Sequence, residues 1–238
     1  MIKPYNITES KKLQVETMFD NIAPKYDFLN HLLSLNTDKL WRKKVRKNLK
    51  NIKSGIFLDL ATGTADLAIE LSKLEPEKIY GTDLSEKMLL KGEEKVKKKN
   101  LEKIISLEKG DAENIRFENC FFDAVTIAFG IRNFENPENG LNEIYRVLKD
   151  KGILIILEFT EPKNFLLKKG YNLYFSKILP YIGKFFSKDF LAYKYLPESV
   201  KSFPQREFFI EKILSAGFKN ASFKNLSFGI AAIYIAYK

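Results

Sequence analysis

The chain has very little cysteine and histidine, the residues that supply many nucleophiles, general bases and metal ligands. Its 238 residues contain one of each, Cys120 and His31. A single cysteine cannot form an internal disulfide, which favours a reducing, cytosolic compartment. One histidine cannot build a multi-histidine zinc site, and a Ser-His-Asp triad would have to use His31. We expect no metal cofactor.

Long apolar runs are also missing. No stretch approaches the ~20 apolar residues that a bilayer-spanning helix needs, and the first residues lack the apolar core of a signal peptide. The composition, 45% hydrophobic and 29% charged, is that of a globular protein, and the length fits one α/β domain with a modest appendage. These features predict a cytoplasmic protein that does not cross a membrane, and they leave open whether it lies on one.

Positive charge is in excess. Lysine and arginine outnumber aspartate and glutamate by 40 to 30, a net charge of +10. This excess fits an anionic partner, such as nucleic acid, an anionic membrane or a phosphorylated ligand. It equally fits lysine placed on ordinary solvated helix faces, as in the run 97–99. Both interpretations stay open.

Short apolar runs alternate with helix-length segments from about residue 55 onward. Five runs predict buried strands, at 56–60, 78–82, 104–108, 124–129 and 153–159. Helices are predicted at about 65–74, 85–99, 137–148 and 205–216. A last pair of runs, 221–225 and 230–237, predicts a hairpin that closes the sheet with an antiparallel strand. The pattern is typical of a Rossmann-like α/β fold with a mostly parallel sheet.

Four parts follow from this pattern. We expect an N-terminal helical cap over 1–50, a cofactor-binding core over 51–162, an aromatic and basic helical lid over 163–203, and completion of the core sheet over 204–238. The cap and the lid should lie over the carboxyl ends of the strands, where open α/β sheets bind ligands.

The first predicted strand leads into a turn of small residues within Leu58-Asp-Leu-Ala-Thr-Gly-Thr-Ala-Asp-Leu67. Asp83 follows Gly63 by 20 residues, the spacing of a carboxylate that binds a ribose diol. A dinucleotide site would want Gly-x-Gly-x-x-Gly, and Asp59 and Asp66 would place negative charge beside its pyrophosphate. The same acids would attract the ammonium and sulfonium of S-adenosylmethionine. The turn thus favours S-adenosylmethionine, and a purely structural strand–helix turn stays open.

Seven further stretches carry a recognisable pattern: Met18-Phe-Asp-Asn-Ile-Ala-Pro-Lys-Tyr-Asp27, Leu35 to Trp41, Ala128-Phe-Gly-Ile-Arg-Asn-Phe134, Tyr145-Arg-Val-Leu148, Leu157-Glu-Phe-Thr-Glu-Pro162, Leu179-Pro-Tyr-Ile-Gly183 and Tyr193-Lys-Tyr-Leu-Pro-Glu-Ser199. On these stretches the chain resembles the menaquinone/ubiquinone biosynthesis C-methyltransferase family, from about Val15 to Lys238. The fold implied is that of the class I S-adenosylmethionine-dependent methyltransferases.

The resemblance implies five cofactor-binding positions: Thr64, Asp83, Asp111, Ala112 and Ala128. The turn itself adds Asp59 and Gly63. Some members of the family carry a serine ligand where this chain has Ala128. Ala65 and Asn36 each replace a usual glycine, and Asp150-Lys151 replaces a common Pro-Gly before the fifth strand.

The reaction implied is methylation of a ring carbon of a prenylated hydroquinone, with demethylmenaquinol to menaquinol favoured as the last step of menaquinone biosynthesis. The alternative is methylation of 2-methoxy-6-polyprenyl-1,4-benzoquinol in ubiquinone biosynthesis. A cation near the developing oxyanion would assist, and Arg132, just beyond the fourth strand, is the candidate; a loop-pinning salt bridge is the alternative. Tyr26 could position the ring, Asn133 could orient it or cap the turn, and His31 could accept the hydroxyl proton or merely pack.

Residues 165–196 are unusual in composition, with ten phenylalanines and tyrosines and six lysines against one acid, Asp189. On one helical face we expect Leu167, Tyr171, Tyr174, Phe175 and Ile178. Such a segment fits peripheral contact with the inner face of the cell membrane or a tunnel for the isoprenoid tail. A lid packed on the sheet fits equally well, and a homodimer is left open.

Two rival functions use the same features. An RNA methyltransferase would exploit the positive charge, but the chain has no Asn-Pro-Pro-Tyr-type base pocket, so we expect no nucleic-acid partner. A non-catalytic cofactor-binding subunit would not need the Phe-Gly-Ile-Arg-Asn stretch. The expectation is therefore an enzyme.

Overall fold

A computed structural model describes residues 2–5, 7–174 and 189–238. It contains one sheet of seven strands: β1 Ile56–Leu60, β2 Lys78–Asp83, β3 Ile105–Lys109, β4 Phe122–Ala128, β5 Leu148–Phe159, β6 Asn220–Leu226 and β7 Ala231–Tyr237. Their order across the sheet is β3-β2-β1-β4-β5-β7-β6. The first five strands are parallel, and β7 pairs antiparallel with both β5 and β6. The predicted Rossmann-like sheet with an antiparallel C-terminal strand is confirmed.

The described helices flank this sheet: α1 Lys11–Ile22, α2 Tyr26–Leu33, α3 Thr37–Asn48, α4 Asp66–Leu71, α5 Glu86–Lys98, α6 Pro137–Val147, α7 Phe165–Leu173, α8 Phe190–Ser202 and α9 Glu207–Ser215. Local chemistry fixes several helix starts. The Ser85 hydroxyl accepts the Met88 N–H and starts α5, and the Asn136 side chain accepts two N–H groups at the start of α6. Side-chain oxygens at these positions satisfy donors that a helix leaves unpaired.

Alternation along the buried strands divides the core into two layers. In β1, Leu58 packs with α6 and α9, whereas Phe57 packs on the other face with α3, α4 and α5. Successive side chains of a strand point to opposite faces, so a sheet covered on both sides is apolar at every position. This packing fixes the strand ends, from which the site is built.

One strand begins earlier than the sequence suggested. The sequence predicts a helix to about residue 148 and a strand from 153, but β5 already begins at Leu148. Phe122 pairs with Leu148 and Ala124 with Ile153, so the residues between them form a bulge inside the strand. Lys151, with a left-handed φ of 63°, lies in this bulge.

The segments outside the alternation contribute to the two cavities described below. Residues of 1–50 line both cavities, and residues of 163–203 line the second. The exact bounds of the cap and the lid stay predictions. Phe175, Ile178 and the stretch Leu179–Gly183 lie outside the described residues. Within the described ranges, no helix combines the length and apolarity that crossing a bilayer requires.

Candidate active site

The turn after β1 is held directly against the end of β2. Ala61, Gly63 and Ala65 all have positive φ, between 51° and 63°, a region that costs non-glycine residues energy. The Gly63 N–H donates to Asp83 Oδ2 at 2.8 Å. A Cβ on Gly63 would find only Tyr26 within reach, at 4.0 Å. The backbone of the turn is therefore accessible from the space between the turn and α2.

That space is a cavity of about 680 Å³ including open solvent, here called the acidic cavity. Of the seven predicted cofactor residues, five line it: Gly63, Asp83, Asp111, Ala112 and Ala128. Asp83 also accepts the Ser85 N–H at 2.9 Å. Burial raises the pKa of Asp83 to about 6, against the pull of these backbone donors.

Asp59 and Thr64 do not line the acidic cavity. Asp59 is buried in the sheet, where it accepts the hydroxyls of Thr62 and Thr126 at 2.6 and 2.7 Å, and burial raises its pKa to about 6. The Thr64 hydroxyl donates to Asp27 at 2.5 Å. Their assignment as cofactor-binding residues stays a prediction, and their side chains have other partners.

The acidity of the cavity comes in part from residues that the sequence did not single out, Glu16, Glu113 and Glu135. Among the described residues, its lining contains one lysine, Lys12, and five carboxylates: Glu16, Asp83, Asp111, Glu113 and Glu135. Asp66, by contrast, is outside the lining and pairs with Lys95 and Arg42, which lower its pKa although burial opposes this. An acid-rich cavity attracts a cationic ligand and repels a pyrophosphate. The acids that would attract a cationic ligand are therefore the carboxylates of this lining, and not Asp59 and Asp66.

Helix α1 covers this cavity. Lys12 Nζ lies 2.6 Å from Asp111 Oδ2, and the Ser85 hydroxyl donates to Asp20 at 2.6 Å. Lys11 Nζ donates to the carbonyls of Arg132 and Phe134 at 2.9 and 2.7 Å. Polar contacts at several points along the helix therefore hold the cap over the strand ends.

A second cavity, here called the apolar cleft, opens on the other side of Tyr26, with a volume of about 1870 Å³ including open solvent. Its walls come from α1, α2, α3, α7 and α8 and are rich in aromatic side chains. Three residues, Phe19, Tyr26 and Phe129, line both cavities. The cavities therefore meet at this shared wall.

Arg132 lines the apolar cleft and is paired at the same time. Its Nη1 lies 2.9 Å from Glu158 Oε1 and also donates to the Phe129 carbonyl, while Nε donates to the Ser199 hydroxyl at 3.3 Å. Glu158 is almost fully buried, and burial raises its pKa against the effect of the arginine. The guanidinium thus lies at the cleft as half of a buried ion pair.

The other three predicted catalytic residues differ in position. Tyr26 is in the shared wall, and burial raises its pKa. Asn133 lines the acidic cavity, and its Oδ1 is buried without a hydrogen-bond partner among the residues that the structure describes. His31 lines neither cavity; its Nδ1 lies 2.8 Å from Asp38 Oδ2.

The cleft contains residues that the sequence analysis missed. Asp38 and Arg42 both line it and form a buried pair one helical turn apart on α3. The spacing of four residues was a visible signal for this pair. Tyr195 of α8 is buried in the cleft wall, and only the packing of α8 could have revealed that.

Comparisons with known proteins find relatives along the whole chain. The sequence profile of the ubiE/COQ5 methyltransferase family matches residues 7–238. A demethylmenaquinone methyltransferase of Bacteroides fragilis is 48% identical over 238 residues, covering 100% of this chain and 97% of the relative. A ubiquinone/menaquinone biosynthesis C-methyltransferase of Geotalea daltonii is 44% identical over 236 residues, covering 98% of this chain and 100% of the relative.

Solved structures share the fold at lower identity. A SAM-dependent methyltransferase from Aquifex aeolicus has a TM-score of 0.60 at 22% identity, covering 82% of this chain and 88% of that one. The cyclase SpnF has a TM-score of 0.65 at 16% identity, covering 95% and 96%. Because a cyclase shares the architecture, the fold alone does not fix the reaction. The full-length sequence match does place the protein: the chain belongs to the ubiE/COQ5 methyltransferase family.

Proposed function

We propose that this protein transfers the methyl group of S-adenosylmethionine to a ring carbon of a prenylated hydroquinone, converting demethylmenaquinol to menaquinol. The observation that carries the proposal is the pair of cavities of opposite character, one acidic and one apolar, that meet at Phe19, Tyr26 and Phe129. The full-length relatives named demethylmenaquinone methyltransferase support the choice of quinol.

The acidic cavity suits S-adenosylmethionine, which when bound supplies a methyl group on a sulfonium. Its carboxylates favour the positive charges of this donor. Asp83, at the end of β2, would accept hydrogen bonds from the ribose hydroxyls. The unpartnered Oδ1 of Asn133 would accept one from the ammonium group. Asp111 and Ala112, which follow β3 and line the same cavity, would contact the adenine.

The apolar cleft suits the quinol ring and its isoprenoid tail. A ring carbon becomes nucleophilic when a ring hydroxyl ionises, and a phenol with a pKa near ~10 is mostly neutral at pH 7. Arg132 would favour the ionised hydroxyl, and Tyr26 would hold the ring at the shared wall. His31 reaches the cleft only through Asp38, so as a proton acceptor it would act through that carboxylate.

We further propose that the cleft opens toward the inner face of the cell membrane, from which the tail enters. Leu35, Leu166 and Phe228 line the cleft and are 81%, 77% and 84% exposed. Exposed lysines are present on two of the helices that form the cleft, such as Lys39 on α3 and Lys169 on α7. Apolar side chains with flanking lysines suit an anionic bilayer surface.

Sedimentation with vesicles tests this contact. Protein should bind anionic vesicles at low salt, and the Leu35→Glu/Phe228→Glu variant should bind less. Phe208→Glu is the matched control, because Phe208 is 70% exposed but does not line the cleft. No binding by the wild type would remove the membrane proposal and leave the methyl transfer standing.

A labelled-methyl assay tests the reaction itself. We expect transfer to reduced demethylmenaquinol, less to 2-methoxy-6-polyprenyl-1,4-benzoquinol, and none to either oxidised quinone. Calorimetry should find binding of S-adenosylmethionine and none of NADH. Transfer to neither quinol by a protein that binds S-adenosylmethionine would contradict the proposed substrate, and binding of NADH alone would contradict the donor.

A further inference from the structure

The hydroxyl of Tyr195 is buried and makes no hydrogen bond within the part of the chain that the structure describes. Tyr195 lies on α8, is 3% exposed and lines the apolar cleft. A buried hydroxyl without a partner has lost its contacts with water and gained nothing in return, which costs folding stability. Such groups are uncommon, and a ligand atom is one way to satisfy them.

The charged surroundings of this hydroxyl belong to the candidate active site. Burial raises the pKa of Tyr195 to about 12, and the charges that act on it are those of Arg132 and Glu158. The group therefore remains a protonated phenol at neutral pH and can donate a hydrogen bond. Ser199, one helical turn after Tyr195 on α8, accepts a hydrogen bond from Arg132 Nε at 3.3 Å, so Tyr195 lies on the face of α8 that meets the buried ion pair.

Another buried tyrosine shows how this fold satisfies a phenol when no ligand is involved. Tyr234 is 1% exposed, and its hydroxyl accepts the Arg206 N–H at 2.8 Å. Tyr234 lines neither the acidic cavity nor the apolar cleft. Of these two buried tyrosines, the one in the cleft wall is the one without a hydrogen bond.

We propose that the Tyr195 hydroxyl donates a hydrogen bond to a ring oxygen of the bound quinol and thereby orients the ring. This inference rests on the proposed function. The hydroxyl is closed off from water in this structure, so the proposed contact requires that the ring displace neighbouring side chains. The quinol class of substrate fits because it brings oxygen acceptors into a cleft whose walls are otherwise mainly apolar.

The Tyr195→Phe variant tests the proposal, with Tyr234→Phe as the matched control. Removing an unsatisfied hydroxyl should leave the melting temperature of the substrate-free protein unchanged or raise it by a few degrees. The KM for demethylmenaquinol should rise about 3- to 10-fold, as for a lost hydrogen bond, while the Kd for S-adenosylmethionine stays unchanged. Tyr234→Phe should instead lower the melting temperature and leave the KM unchanged.

Three results would overturn the assignment. A lower melting temperature for Tyr195→Phe, with an unchanged KM, would mean that the hydroxyl serves the fold, through an ordered water for example. An unchanged KM with unchanged stability would mean that the substrate does not use it. An equal rise in KM for both variants would mean a general disturbance of packing. If the wild type binds S-adenosylmethionine but methylates no quinol, the proposed function fails before Tyr195 is tested.

Discussion

Replacing Glu158 by glutamine would test whether Arg132 promotes ionisation of the quinol. The Glu158 carboxylate lies 2.9 Å from the guanidinium and is buried, so it opposes the field that the arginine applies to the cleft. Glutamine keeps an acceptor oxygen on a side chain of the same length and removes the negative charge. Under the proposed function, Arg132 should become a stronger cation toward the ring.

Coulomb's law gives the size of the effect. A guanidinium about 4 Å from a ring oxyanion stabilises it by about 4 kcal/mol at an effective dielectric constant of ~20. For an oxyanion on the opposite side of the guanidinium, the carboxylate is about 7 Å away and cancels about 2.4 kcal/mol of this. Since a pKa unit is worth about 1.4 kcal/mol, Glu158→Gln should lower the pKa of the bound quinol by about one to two units.

The assay is kcat against pH with reduced demethylmenaquinol. In Glu158→Gln, the rise in rate that accompanies ionisation of the hydroxyl should move to lower pH by about one to two units. The Arg132→Gln/Glu158→Gln variant should lose this shift, and its kcat should fall by about tenfold. Glu143→Gln is the control, because Glu143 also pairs with an arginine, at 2.8 Å, but lines neither cavity.

Folding has to be checked first, because breaking a buried ion pair costs about 3–5 kcal/mol. Each variant must melt cooperatively above the assay temperature. A folded Glu158→Gln enzyme with the wild-type pH profile would refute the oxyanion role of Arg132. Wild-type kcat in the double variant would refute it as well.

Three other changes are expected to have measurable effects. Affinity for S-adenosylmethionine, measured by calorimetry, should fall as the pH is lowered from 7 to 5, because the pKa of Asp83 is about 6 and a protonated carboxyl accepts fewer hydrogen bonds. The affinity of Asp83→Asn should depend less on pH. A wild-type affinity that does not change with pH would contradict this role of Asp83. Thr126→Val removes a hydrogen bond to Asp59 and should cost about 1–3 kcal/mol of unfolding free energy at pH 8. The pKa of Asp59 is raised to about 6, so the cost of burying its charge is present above pH 6 and disappears as the carboxyl is protonated. Urea titrations should therefore find that Thr126→Val loses less unfolding free energy at pH 5 than at pH 8. Equal losses at the two pH values would contradict this. In Gly130→Ala the new Cβ would lie 2.5 Å from Ala61 Cβ, so the melting temperature should fall by several degrees, and an unchanged value would show that the strand end can shift.

The sequence could predict those site residues that stand at strand ends. Asp83, Asp111 and Ala128 line the same cavity because parallel strands bring their carboxyl ends to one edge of the sheet. Asp59 differs because it lies inside β1, one residue before the end of the strand, and its side chain is buried. The alternation of strand residues predicts this burial, since Phe57, two residues earlier, points to the same side of the strand.

Contacts between distant segments could not be predicted from one sequence. Arg132 and Glu158 are 26 residues apart and meet only because β4 and β5 are neighbours, with a bulge that shifts their register. The burial of Tyr195 depends in the same way on how α8 packs with α1, α2 and α7. Spacing identifies residues that share one turn or one strand, whereas partners across elements are set by the assembled sheet.

The wall formed by Phe19, Tyr26 and Phe129 would, under the proposed function, separate two supply routes. A water-borne donor would reach one side of it, and a lipid-borne quinol would reach the other. Neither would pass through the cavity of the other, so the spent donor could be exchanged while the hydrophobic tail stayed in place. If the proposed membrane contact holds, such an enzyme could complete successive turnovers without leaving the surface from which it draws its substrate.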